Sequence, residues 1–133
     1  MANLKNSDQE ILTELHNDTL LWISMLGYME NDLQFINRLL NSKAFKDKVP
    51  NLFERLQNYL HEMKTKTREL KNFKKEINEY GVELKGILEC QDISCDTFYL
   101  ENHRTLKNRF EKFYTEFNDY KTRIFNYTGG ILR

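Results

Sequence analysis

The sequence predicts an all-α fold: an elongated, antiparallel three-helix bundle running up-down-up, with coiled-coil-like seams. Three observations predict it. Apolar residues recur at spacings of three and four through three long segments. Breaks at Pro50 and over residues 90–95 separate those segments. Strand and turn formers are scarce, with one Pro, five Gly and two Val in 133 residues. This length suits one domain, residues 1–133, with helices expected at about 7–44, 50–89 and 97–127.

The first helix opens on Ser7-Asp8-Gln9-Glu10, a capping box in which Ser7 serves the third helical amide and Glu10 reaches back. Leu12, Leu15, Thr19, Trp22, Leu26, Met29, Leu33, Ile36 and Leu40 then form an unbroken heptad seam. Beside it runs a second stripe, Leu21, Met25, Tyr28, Phe35 and Leu39, interrupted by Asp18 and Asp32. Two readings of the stripe stand. Helix 1 uses the extra width for its two partner helices, or the stripe is a contact surface for self-association or for another protein.

Pro50 suits the first turn of helix 2. Val49, Leu56, Met63, Leu70, Ile77 and Leu84 repeat there every seven residues, and Gly81 marks close packing or a weak point. Asp96 is a good N-cap for helix 3, whose seam is Tyr99, His103, Leu106, Phe110, Phe113, Phe117, Tyr120 and Ile124; Gly129-Gly130 ends it. Short connections make consecutive helices antiparallel. Bulky seams with only two Ala in the chain imply wide helix spacing filled by aromatic rings. Helix 3 is expected to be shorter than the others by roughly two turns, leaving the 35–55 end thinly covered.

Chemistry-bearing motifs are few. Glu-x-x-His pairs and the His-Glu-x-x-His pattern are absent. The topology does bring His16, Glu79 and His103 toward one end of the bundle, a candidate metal or small-ligand site set against the plainer reading of His103 as a satisfied core histidine. Cys90 and Cys95 are read as two ordinary thiols. Lys64, Arg68, Lys71 and Lys75 form a basic line on helix 2, for which Asp18, Asp32, Glu111 and Glu116 are the expected counter-charges, with a groove for nucleic acid or an anionic partner as the alternative.

The segments Trp22-Ile23-Ser24-Met25-Leu26, Asp32, Asn37-Arg38-Leu39, Leu56-Gln57-Asn58 and His103-Arg104 with Leu106 resemble a family of small uncharacterised bacterial helical proteins. The resemblance implies a helical bundle and supplies no activity. Its further His and Glu positions correspond here to Met25, Arg55 and Asn72, so it implies that any polar site built on them is lost.

Twenty basic and twenty acidic side chains cancel, which leaves no global attraction for nucleic acid or an anionic membrane. No apolar run approaches the roughly 20 residues of a spanning helix. The residues at 1–6 do not form an apolar leader, which predicts a cytoplasmic location. Without a phosphate loop or a nucleophile elbow, the reading is a non-catalytic interaction or scaffold protein with no cofactor. Its partner is another protein or a second copy, with a homodimer as one form. A metal- or ligand-binding bundle using His16, Glu79 and His103 is the alternative.

Overall fold

The computed structural model describes the backbone of residues 6–87 and 93–133, with side chains described over 13–82 and 100–133. Three helices account for nearly all of it: α1 (Asn6–Leu40), α2 (Leu52–Ile87) and α3 (Ile93–Gly129). They form an all-α, up-down-up bundle. Cross-helix pairs give the directions. Thr19 faces Gly81 and Glu30 pairs with Lys74, so α1 and α2 are antiparallel. Tyr80 meets His103 and Glu62 meets Arg123, so α2 and α3 are antiparallel too.

The heptad seams are the core. Leu15, Trp22, Leu26, Met29, Leu33, Ile36 and Leu40 of α1 are buried, as are Leu106, Phe110, Phe113, Phe117, Tyr120 and Ile124 of α3. Thr19 sits among them because its hydroxyl donates back to the Leu15 carbonyl at 2.9 Å, leaving a methyl for packing. Leu56, Tyr59, Leu70, Ile77 and Tyr80 close the core from α2.

Backbone spacing follows side-chain size. The helices α1 and α2 approach closely, and a Cβ placed on Gly81 would lie 3.5 Å from Thr19 Cγ2. That is ordinary contact distance, so the packing leaves room for a methyl at position 81. Helix α3 stands further off, across a layer of rings in which Phe73 stacks on Phe113 at 5.0 Å and Trp22 meets Phe110 at 5.7 Å.

Two bidentate ion pairs fix the α2–α3 register. Arg109 grips Glu76 and Arg123 grips Glu62, the second contacts measuring 3.0 Å and 2.9 Å. Both acids and both arginines are two heptads apart, so the two clamps repeat one geometry along an antiparallel seam. Each guanidinium also lies over a ring, Arg109 over Phe73 and Arg123 over Tyr120.

Several boundaries differ from the sequence reading. Helix α1 ends at Leu40, where the Asn41 and Ser42 side chains take the Asn37 and Leu39 carbonyls. Helix α3 is not the short one, spanning 37 residues against 35 and 36. It begins at Ile93, inside what the sequence suggests is a connection. Nor is the 35–55 end thinly covered. The tail beyond α3 folds onto the α1–α2 connection, with Lys46 N donating to the Ile131 carbonyl at 2.7 Å and Arg133 N to the Ala44 carbonyl at 2.9 Å. That contact buries Phe45 in the core. The Cys90 and Cys95 side chains lie outside the described residues, and Asp96 falls inside α3, three residues past its start, and so is not its N-cap.

Candidate functional site

One polar cluster lies inside the bundle. His103 is buried, stacked on Trp22 with ring centroids 5.0 Å apart, and both ring nitrogens are bonded. Nε2 lies 2.8 Å from Asp18 Oδ2 and Nδ1 lies 2.7 Å from the Tyr80 hydroxyl. A carboxylate only accepts, so Nε2 carries a proton. A neutral ring then accepts from Tyr80 at Nδ1. The cluster joins all three helices, since Asp18 belongs to α1, Tyr80 to α2 and His103 to α3.

His16 and Glu79, the other two candidates for a metal or ligand site, are exposed. Among the described residues no group of three or more His, Cys, Asp or Glu side chains is placed to hold a metal ion, so His16, Glu79 and His103 do not come together as one. The buried histidine is instead occupied by a carboxylate and a phenol.

The second stripe of α1 divides. Met25 and Leu39 are half-buried and pack against the core, supporting its partner helices. Leu21, Tyr28 and Phe35 remain 57%, 73% and 56% exposed. Helix α3 extends this surface: Phe125 meets Phe35 edge-on with centroids 6.3 Å apart, and Tyr114 stacks on Phe110. Phe110, Tyr114, Lys121 and Phe125 are spaced by four, seven and four, so they share the α3 face toward α1. One ion pair crosses the patch, Lys121 Nζ to Asp32 Oδ2 at 2.8 Å.

The basic line of α2 departs from expectation. Asp18 and Asp32 face α3, where they meet His103 and Lys121. Among the described residues no ion pair reaches Lys64, Arg68, Lys71 or Lys75, and all four are exposed. Leu20, Ile23 and Val82, which belong to no seam or stripe, and Phe53, which the sequence sets beside the α2 seam, are apolar yet exposed. They fall outside the buried seams, and an off-seam apolar residue at three/four spacing was the available signal.

No family model matches this chain, and no curated protein or solved structure does either. No helix among the described residues is long and apolar enough to cross a membrane.

Proposed function

We propose that this chain is a non-catalytic interaction protein whose α1–α3 face pairs with a second copy of itself. One observation carries the reading: Leu21, Tyr28 and Phe35 stay exposed beside an α1 seam that is buried from Leu15 to Leu40. Large apolar side chains gathered on one face cost solubility unless they meet a partner.

Spacing favours a second copy. Leu21 and Phe35 stand seven residues before and after Tyr28. A two-fold axis through Tyr28 sets each Leu21 against the other copy's Phe35 and brings the two Tyr28 rings together. Asp32 then faces Ser24 instead of another acid. This is the self-complementarity that an isologous contact requires. Tyrosine and phenylalanine supply large contact area at small entropic cost.

Light scattering on wild type and on Tyr28→Lys with Phe35→Glu tests the proposal. A dimer at tens of micromolar, lost in a variant with unchanged helicity, supports it. A monomeric wild type contradicts it, and so does a variant that remains dimeric.

A further inference from the structure

A second surface lies on the other side of α1. A groove of about 410 Å³ runs between α1 and α2, floored by Leu33, Met63 and Leu70 and rimmed by Gln34, Asn37 and Lys71. Its line continues along both helices. Ile23, Glu30, Gln34 and Asn37 are spaced by seven, four and three, and so share one face of α1. Lys64, Thr67, Lys71, Lys75 and Val82 are spaced by three, four, four and seven along α2. Ile23 and Val82 are exposed at the end of this line, Val82 at 69%.

We infer that this groove binds an acidic amphipathic helix of a partner protein. The inference concerns a different face from the self-association surface and does not depend on it. Charge decides the sign of the partner. Lys64, Arg68, Lys71 and Lys75 follow one another at spacings of four, three and four, and no ion pair reaches any of them among the described residues. Like charges at these spacings repel one another along α2, and acidic flanks on an incoming helix relieve the repulsion. The one acid on the rim, Glu30, is already taken by Lys74 at 3.0 Å. The apolar floor decides the shape. A bare polyanion leaves Met63, Ile23 and Val82 uncovered, whereas a helix laid over two helices covers them in the packing of a four-helix bundle.

The test is fluorescence anisotropy on the full chain with a labelled synthetic helix. The probe is roughly 28 residues long, with Leu along one face and Glu on both flanks. A control peptide keeps the Leu face and carries Lys on the flanks. The Glu-flanked peptide is expected to bind saturably and to weaken about tenfold between roughly 50 and 500 mM salt. Lys64→Glu with Lys71→Glu, and separately Ile23→Ser with Val82→Ser, should each weaken binding about fivefold or more, roughly 1 kcal/mol. The inference is overturned if the Glu-flanked peptide binds no better than the Lys-flanked control. It is equally overturned if duplex DNA or phosphatidylserine vesicles bind as tightly as the peptide and Ile23→Ser with Val82→Ser changes nothing, since the surface is then a general polyanion site.

Discussion

Asp18 of α1 and His103 of α3 meet at 2.8 Å, and this contact sets where the imidazole carries its proton. With Nε2 committed to the carboxylate and Nδ1 to Tyr80, the ring acts as a three-helix fastener. His103→Ala removes both hydrogen bonds and the ring stacked on Trp22, so it should cost about 2–4 kcal/mol in chemical denaturation. Nitrogen-detected NMR of the wild type should find the Nε2-protonated tautomer whenever the ring is neutral. A loss under about 0.5 kcal/mol, within the range of an ordinary surface change, would contradict the role assigned to this ring.

The paired clamps on the α2–α3 seam are too exposed to contribute much stability each. Their effect lies in register. Glu62→Ala alone should cost at most about 1 kcal/mol. Glu62→Arg with Glu76→Arg sets cations opposite Arg123 and Arg109, and the melting temperature should fall by several degrees. Adding Arg109→Glu with Arg123→Glu should restore most of it. Failure of that rescue would mean these residues do not face each other.

Gly27 and Gly81 are both helical, and neither has positive φ. A Cβ on Gly27 meets nothing within 4 Å, and one on Gly81 meets only Thr19 Cγ2 at 3.5 Å, an ordinary contact. Each change to Ala should therefore stabilise the fold by about 0.5–1 kcal/mol. Gly81→Leu should destabilise it, because α1 stands too near for a longer side chain. Thermal melts of the three variants give the comparison, and a destabilising Gly81→Ala would show closer α1–α2 packing than described.

Burial, and then the nearby Glu62 carboxylate, push the Tyr120 phenol well above its ordinary value of 10.0. Its hydroxyl donates to the Tyr59 carbonyl at 2.8 Å, a bond that ionisation removes. A folded-state value above the unfolded one gives stability that is full below about pH 10 and is lost as pH rises toward the folded value. Urea denaturation should show wild type falling faster than Tyr120→Phe above about pH 10, with the difference constant between about pH 7 and 9. Equal slopes would mean that Tyr120 is accessible to ionisation in the folded state.

The fold was legible because heptad spacing reports burial directly. Every described α1 seam position from Leu15 to Leu40 is buried, and the α3 seam from His103 to Ile124 behaves the same way. The cross-helix partners were not legible. Asp18 and Asp32 looked like counter-charges for the basic line of α2, yet they face α3. A seam fixes which side of a helix is inside but leaves open which neighbour flanks each edge. The reach of the tail was hidden for a related reason: Ile131 and Arg133 act through backbone groups on Lys46, Ala44 and Phe45, and sequence pattern does not report such pairing.

Two-fold association through Tyr28 is tested most directly by a distance between copies. Asn17 is exposed on α1, eleven residues before Tyr28. A nitroxide on Asn17→Cys, in a background carrying Cys90→Ser and Cys95→Ser, places two labels about 33 Å apart along paired antiparallel helices. Pulsed dipolar spectroscopy at about 100 μM should give one distribution centred near that distance, and Tyr28→Lys with Phe35→Glu should abolish it. A flat background in the wild type, or a distribution that survives the double substitution, would contradict pairing through this face.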